Sequence, residues 1–273
     1  MKRWIRNLYY WIRKKFQAGF NFFESEHRLV IVEANSWNDI REIWCQILTP
    51  QKFVGTIRIG GEADGGYCTP NVLSTIDAFF SPGYGGIKLF EDDLQKWKIE
   101  TFICDGGFQF INDLKTSQNF TPKYLSTFDS DEFISLETWI RDSNFRNSSN
   151  LGLQMDIEGA EYEILSAINY QILRRFKLLL IEFHDLDLLF VSQAQIQKLK
   201  NIVYKISQSH YLVHVKSNNA GGSINVNGYA FPKVLELSFI RKELANFSEG
   251  DFHMHCPYLN DPSKPPIKLP QLL

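Results

Sequence analysis

The pattern of apolar and polar residues changes near Val54. From there on, short apolar runs alternate with turn residues and with segments of helical periodicity. This alternation is typical of a mostly parallel sheet flanked by helices, because parallel strands are joined by helical crossovers. We predict strands near 54–60, 77–81, 99–104, 124–128, 151–156, 178–183, 211–216 and 234–240, and helices over 36–48, 87–97, 132–143, 160–175 and 191–208.

Residues 1–23 have a different pattern. Trp4, Leu8, Ile12 and Phe16 recur at every fourth position, and residues 2–15 include six lysines and arginines. Such spacing predicts a basic amphipathic helix with an aromatic face. Two interpretations stay open: the helix lies on an anionic membrane surface as a peripheral contact, or it packs on the core or on a second subunit.

The chain therefore divides into three parts. We expect an N-terminal basic amphipathic and helical extension over 1–50, an α/β domain over 51–246, and a Pro-rich tail over 247–273 that is extended or packs loosely. With 273 residues, 44% of them hydrophobic, the chain can bury one substantial core.

Composition limits which binding partners and which cellular compartment we expect. Lys plus Arg is 29 and Asp plus Glu is 31, so the net charge of -2 predicts no general attraction to nucleic acid. The four cysteines are scattered without a C-x-x-C pair, which suggests neither a zinc knuckle nor a disulfide framework. With no secretory signal or membrane span recognisable, we expect a cytoplasmic protein, with possible peripheral contact to the membrane surface. Its oligomeric state is left open.

The first candidate ligand site is a glycine-rich turn. An apolar run ends in residues 81–86, SPGYGG, and a helical segment follows; nineteen residues after Gly86, the next strand ends in Asp105. Glycines let a backbone approach a ligand closely, and an acid after the second strand of a doubly wound fold accepts hydrogen bonds from ribose hydroxyls. The third glycine of a dinucleotide turn would fall on Lys88, which favours an adenosine-bearing donor without phosphate. The predicted cofactor-binding residues are Ser81, Gly83, Tyr84, Gly85, Gly86, Asp105 and Asp156.

A second candidate block covers residues 151–165. An apolar strand ends in Asp156 and Glu158, and Gly159 leads into an amphipathic helix. Both carboxylates would lie at the carboxyl end of a central strand, where ligands bind in this architecture. Glu161 and Glu163 fall in the first helical turn, where negative charge favours the helix dipole, so we interpret them as structural.

These strings resemble the FkbM-type methyltransferases. The resemblance rests on DIEGAE at 156–161 preceded by ISLETWI at 134–140, and extends over roughly 55–242 through RIGG at 58–61, DGGY at 64–67, the block at 81–91, IEFH at 181–184 and HVKSNN at 214–219. It implies a Rossmann-like doubly wound fold, binding of S-adenosyl-L-methionine and O-methylation of a hydroxyl on a sugar of a glycan, lipid-linked sugar or natural product. One departure is Ser81, where many methyltransferases carry an acid.

The chemistry expected from these residues is methyl transfer to oxygen. The predicted catalytic residues are His184, Asp156 and Glu158, with His184 as the base because an ordinary histidine accepts a proton near neutral pH. The predicted substrate-binding residues are Asp64, Tyr67, Glu182, His214, Asn218 and Asn219. Several of these side chains could also converge on a divalent metal, although no local spacing enforces it, and hydrogen bonding to sugar hydroxyls is the simpler role. A further string, HMHC at 253–256, is interpreted as incidental rather than metal-binding.

Two other functions stay open. A non-catalytic module binding a nucleotide sugar or a polysaccharide could keep the same sheet. A nicotinamide-dependent oxidoreductase is a further alternative, disfavoured by Lys88. The partner expected in the leading hypothesis is a small-molecule or glycan acceptor.

Overall fold

The computed structural model describes residues 34–51, 53, 55–245 and 256–272, and the backbone alone of 22–25 and 28–31. The helix predicted over 1–23 lies outside the described residues, except that Phe22 and Phe23 begin a short strand. Within the part of the chain that the structure describes, no helix is both long and apolar enough to cross a membrane.

Fifteen strands occur in the described residues. They are β1 (Phe22–Ser25), β2 (Arg28–Ile31), β3 (Thr56–Ile59), β4 (Tyr67–Pro70), β5 (Ala78–Pro82), β6 (Glu100–Cys104), β7 (Gln118–Thr121), β8 (Tyr124–Ser126), β9 (Phe133–Ser135), β10 (Leu151–Met155), β11 (Phe176–Phe183), β12 (His210–Ser217), β13 (Ser223–Val226), β14 (Tyr229–Pro232) and β15 (Leu235–Arg241).

The helices lie between these strands. They are α1 (Trp37–Ile47), α2 (Leu89–Leu94), α3 (Leu136–Asp142), α4 (Glu161–Ala167), α5 (Tyr170–Leu173) and α6 (Gln193–Ser207), with 3-10 turns at Leu73–Thr75, Gln95–Trp97, Leu186–Phe190 and Lys242–Leu244. For helix α6, the sequence explains both the buried face and the position of the first turn. Its buried residues recur at helical spacing from Ile196 to Ile206, and the Ser192 hydroxyl caps its first turn by accepting from the Gln195 N–H at 3.2 Å.

Seven strands form the central sheet, in the order β12-β15-β11-β10-β5-β6-β7. Strands β11, β10, β5, β6 and β7 run parallel to one another, whereas β15 is antiparallel to both β11 and β12. The predicted fold class is confirmed: the molecule is an α/β protein with a Rossmann-like, mostly parallel sheet flanked by helices.

Two apolar clusters cover the two faces of the sheet. On β11, Leu179 and Ile181 belong to the larger cluster, and Leu178 and Leu180 belong to the smaller one. Alternate residues of a strand point to opposite faces, so a strand buried on both sides reads as a continuous apolar run. This is why the central strands were predictable from the apolar runs in the sequence.

Several predicted elements differ from the observed ones. The segments predicted as strands near 54–60 and 124–128 pair outside the central sheet, in the hairpin β3-β4 and in the pair β8-β9. The helix predicted over 132–143 begins at Leu136, because Phe133–Ser135 forms β9. The helix predicted over 160–175 is two helices, since Ile168 ends the first with an extended backbone.

The C-terminal segment 256–272 has no helix or strand, yet it does not pack loosely. The Ser217 hydroxyl donates to the Ile267 carbonyl at 2.6 Å, and the Arg41 Nε donates to the Leu272 carbonyl at 2.9 Å. The Asn219 amide donates to the carbonyls of Asp261 and Lys264 at 2.8 and 3.1 Å. Polar contacts that no periodicity reveals therefore hold this segment against the domain.

The segment is also joined covalently to the domain. Cys68 on β4 and Cys256 form a disulfide across 188 residues of sequence. The expectation of a chain without disulfides is therefore wrong, because the pairing is non-local and leaves no spacing signal. Disulfides persist mainly in oxidising compartments, so this pair does not support the expected reducing cytoplasm.

The buried His210 makes the stability of the fold depend on pH. Its Nε2 contacts the Phe176 carbonyl oxygen at 2.8 Å, and its Nδ1 contacts the Ser209 hydroxyl at 2.9 Å. Burial lowers the pKa of His210 to about 4, outweighing the opposing bond to Phe176. Because the unfolded chain binds the proton near the ordinary pKa, stability is lost as pH falls from about 6.5 to about 4, by about 3 kcal/mol.

Replacement of His210 by Gln should remove that part of the pH dependence. We expect the free energy of unfolding, measured by urea titration at several pH values, to fall less steeply in His210→Gln than in the parent protein. His214, whose burial also lowers its pKa to about 4, is present in both proteins and cancels in the comparison. Parallel profiles in the two proteins would contradict the assignment.

Candidate functional site

The candidate site lies where three neighbouring parallel strands end. Strands β5, β10 and β11 are adjacent, with Leu151 beside Ala78 and Met155 beside Ile181 in the register. The residues just beyond these strands are Gly83, Asp156 and His184. The two blocks predicted from the sequence are therefore brought together at the carboxyl edge of the sheet, as expected for this architecture.

The glycine turn meets the acidic loop directly. Gly83 has a φ of 93°, and a Cβ at this position would lie 1.7 Å from the Asp156 carbonyl oxygen. Only glycine tolerates both conditions. Gly85 is different, because a Cβ there would meet nothing within 4 Å. The inner glycine thus allows the two loops to touch, and the outer part of the turn is open toward solvent.

Asp105 connects the glycine turn to the next loop. Its carboxylate accepts from the Gly85 N–H at 3.1 Å and from the Gly107 N–H at 2.7 Å. Tyr84 and Phe108 pack edge to face across the gap, with ring centroids 4.9 Å apart. The predicted turn and the predicted acid are therefore in contact, beside an aromatic pair.

Ser81 lies beneath the turn. It is 1% exposed, and its hydroxyl is 2.5 Å from both Glu91 Oε1 and Gln154 Oε1. A hydroxyl has one proton to donate. Burial raises the pKa of Glu91 to about 7, against the effect of the Ser81 hydrogen bond, so a protonated Glu91 can supply the second donor. Ser81 thus joins α2 to the sheet inside the protein.

The three predicted catalytic residues converge. His184 Nε2 lies 3.6 Å from Asp156 Oδ1 and 3.8 Å from Glu158 Oε2, and Glu182 Oε1 is 4.0 Å away. Glu158 has a left-handed backbone with a φ of 58°, an uncommon conformation for a residue with a side chain. The imidazole therefore faces three carboxylates at the end of the central strands.

Glu161 fixes this imidazole. It is fully buried, and its carboxylate accepts from the Ile157 and Gly159 N–H groups, each at 2.9 Å. His184 Nδ1 lies 3.0 Å from Glu161 Oε1. Glu161 is thus structural, as predicted, but through the loop and the histidine rather than through the helix dipole alone.

The surrounding charges determine which protonation states are favoured. Burial lowers the pKa of His184, but the hydrogen bond to Glu161 and the carboxylates nearby outweigh it and raise that pKa to about 9. Burial raises the pKa of Asp156 to about 7, against the pull of His184. An imidazolium has no lone pair to accept a proton, so these values do not favour His184 as the base at neutral pH.

Part of the predicted substrate-binding set forms an internal chain of hydrogen bonds. The Tyr67 hydroxyl lies 3.4 Å from Glu182 Oε2, and the Asn218 amide donates to Glu182 Oε1 at 2.5 Å and contacts Asp64 at 3.5 Å. Burial, followed by the charges of Asp156 and Glu236, raises the pKa of Glu182 well above its usual range. These side chains are therefore bound to one another through Glu182 and Asn218.

The other two predicted substrate-binding residues, His214 and Asn219, are also buried. Asn219 holds the C-terminal segment, through the bonds given above and through its Oδ1, which accepts from the Asp261 N–H at 2.9 Å. His214 lies on β12 opposite Ser238. The structure brings Asn219 to the C-terminal segment rather than to the cluster around His184.

Asn260 belongs to the same hydrogen-bonded group and was not predicted from the sequence. Its amide donates to Asp64 Oδ1 at 2.8 Å and to Glu236 Oε1 at 2.6 Å, and its Oδ1 accepts from Lys216 Nζ at 2.6 Å. Register places Glu182, Glu236 and Lys216 side by side on adjacent strands. A charged residue in each of three apolar strands is a signal that could have revealed this row.

No family model matches the chain, and no curated protein matches it. Among solved structures, it is similar to a "putative RNA methyltransferase" from Pyrococcus horikoshii, with 7% sequence identity and a TM-score of 0.30 over 75% of this chain and 98% of that chain. A similarity of that size does not indicate a function.

Proposed function

We propose that the chain is an S-adenosyl-L-methionine-dependent O-methyltransferase of the FkbM type, acting on a sugar hydroxyl of a glycan, a lipid-linked sugar or a natural product. One observation carries the proposal: the glycine turn at Gly83 touches the backbone of Asp156. A donor lying along the turn would therefore have its reactive end beside Asp156, Glu158 and His184.

The residues present fit an adenosyl donor. The open face of the turn at Gly85 offers backbone without side-chain obstruction. Asp105 already accepts two N–H groups, and each carboxylate oxygen keeps a second lone pair for a ribose hydroxyl. Tyr84 and Phe108 provide flat apolar surface at the same place, which suits a purine ring.

The donor supplies an electrophilic methyl group on a sulfonium sulfur. When bound along the turn beside Asp105, it would pass that methyl group to the acceptor oxygen, and the electron pair of the broken carbon–sulfur bond would remain on sulfur. The hydroxyl proton passes to a carboxylate of the cluster, for which Asp156 is placed. The protein's contribution is to hold both reactants in line and to stabilise the developing charges.

Titration calorimetry with S-adenosylhomocysteine and S-adenosylmethionine tests the proposal. We expect binding at micromolar concentration and weakening by about tenfold or more in Asp105→Asn, because a hydrogen bond to a charged acceptor contributes about 1.5–3 kcal/mol. Asp142→Asn is the matched control, since Asp142 is exposed and pairs only with its neighbour Arg141 among the described residues.

The same experiment separates the alternatives. Absence of binding by both adenosyl compounds, together with binding of a nucleotide sugar, would replace the proposal with the non-catalytic module. Binding of NAD instead would favour an oxidoreductase. Equal affinity in the parent protein and Asp105→Asn would remove Asp105 from the donor site.

A further inference from the structure

The disulfide between Cys68 and Cys256 joins two sulfurs with different surroundings. Cys68 lies on β4 and is 6% exposed, whereas Cys256, at the start of the C-terminal segment 256–272, is partly exposed. A thiol can attack a disulfide only at a sulfur that it can reach. An external thiol would therefore attack the Cys256 sulfur, and Cys68 would be the thiolate that leaves.

A guanidinium lies beside both sulfurs. Arg58 Nη1 is 3.8 Å from Cys68 Sγ and 3.6 Å from Cys256 Sγ. Positive charge stabilises a thiolate, and a more stable leaving thiolate departs faster. Arg58 is thus placed to speed the reduction of this bond.

The position of Arg58 is set by the loop that follows β3. Its Nε donates to the Gly61 carbonyl at 2.8 Å, and its Nη2 donates to the Ala63 carbonyl at 3.0 Å. On the other side, the ring of Tyr258 has its centroid 4.3 Å from Arg58 Cζ. One guanidinium therefore contacts the domain, the disulfide and the C-terminal segment.

Apart from the disulfide, the C-terminal segment is held mainly through side chains. It has no helix or strand, and its contacts are hydrogen bonds such as those of Asn260 with Asp64 and of Asn219 with the Asp261 N–H. With the disulfide intact, the segment is fixed to β4 at Cys256. With the disulfide broken, the segment is an end of the chain, and ends held by few contacts open readily.

We propose that the Cys68–Cys256 disulfide is a redox switch: reduction by a dithiol releases the C-terminal segment from the domain. A thiolate of the dithiol bonds to the Cys256 sulfur, the sulfur–sulfur bond breaks, and its electron pair stays on Cys68 beside Arg58. The second thiol of the reductant then attacks the mixed disulfide and frees Cys256. Two electrons pass to the protein, the dithiol becomes a disulfide, and its two protons go to the freed sulfurs or to water.

Release of the segment would alter one side of the candidate site. Asn260 donates to Asp64 at 2.8 Å, and the Asn218 amide contacts Asp64 at 3.5 Å and Glu182 at 2.5 Å. Glu182 Oε1 in turn lies 4.0 Å from His184 Nε2. The redox state would thus reach the site through a short row of contacts, whichever reaction the site carries out.

Hydrogen exchange measured by mass spectrometry on the full chain, before and after treatment with dithiothreitol, tests the proposal. The Asp261 N–H donates to Asn219 Oδ1 at 2.9 Å, so the peptide that contains it reports whether the segment is docked. We expect its exchange to become about tenfold faster or more on reduction, and to slow again on reoxidation. Exchange in the central strand Phe176–Phe183 should stay unchanged, because the domain remains folded.

Two variants sharpen the comparison. In Cys256→Ser, the segment should exchange fast without reductant and should not respond to dithiothreitol. Cys45→Ser is the matched control, because Cys45 is a free and partly exposed cysteine, so this variant should respond to reduction as the parent protein does. The measurement on the parent protein alone decides the matter if Cys256→Ser does not fold.

Three results would overturn the proposal. Labelling of all four cysteines, rather than two, in denatured and unreduced protein would mean that the bond does not form. Reduction that occurs only after the domain has been unfolded would make the bond a purely structural one. Equal exchange of the Asp261 peptide in oxidised and reduced protein would mean that the bond does not control the segment.

Discussion

Gly83→Ala is expected to lower the free energy of unfolding by about 3–5 kcal/mol, because overlap in a packed site and a strained backbone both contribute. The added Cβ would lie 1.7 Å from the Asp156 carbonyl oxygen, on a backbone with a φ of 93°. The acidic loop must move away to make room. Thermal unfolding should show a fall in Tm on the order of 10 °C for a chain of this size.

Gly85→Ala is the control for this effect. Gly85 also has a positive φ, of 57°, but its Cβ would meet nothing within 4 Å. Its cost should be about 1 kcal/mol, the backbone term alone. Calorimetry should also find that Gly83→Ala loses adenosyl binding. If the two variants were equally stable, the glycine turn and the acidic loop would not be in contact.

Glu161→Gln is expected to destabilise the protein by about 2–4 kcal/mol, because a buried hydrogen-bond acceptor is replaced in part by a donor. Both carboxylate oxygens of the fully buried Glu161 accept backbone N–H groups, and one also faces His184. The amide of glutamine would place its NH₂ group against one of these donors. Urea unfolding measures the loss, and imidazole NMR signals should show a changed environment for His184.

Glu163→Gln provides the comparison, since the exposed pair with Lys198 contributes at most about 1 kcal/mol. The two substitutions are chemically identical and two residues apart on one helix. Similar losses in both variants would mean that Glu161 does not support the loop.

The core of the fold was predictable because its signal is local. The strands that carry the site, Ala78–Pro82, Leu151–Met155 and Phe176–Phe183, are predominantly apolar and are buried on both faces. Two other elements lack such apolar runs. Gln118–Thr121 has three polar residues at the edge of the sheet, and the hairpin of Ser223–Val226 and Tyr229–Pro232 pairs outside it, so neither was predicted.

The residues of the site also differ in how well the sequence predicts them. Gly83, Asp156 and His184 were found because each directly follows a strand, and strand ends of a parallel sheet meet at one edge. Partners distant in sequence were not found. Asn260 reaches Asp64 across 196 positions, and no periodicity or spacing encodes such a contact. Asn219 was predicted to bind substrate, but it binds the C-terminal segment. A polar side chain after a strand can equally bind another part of its own chain.

The position of β15 has a consequence for biosynthesis. Within the central sheet, His210–Ser217 pairs only with Leu235–Arg241, which also separates it from Phe176–Phe183. When a ribosome has made the first of these segments, the strand that will receive it does not yet exist. The strand His210–Ser217 therefore has no partner in the central sheet until translation has passed Arg241. Chaperone protection would be needed most during that interval.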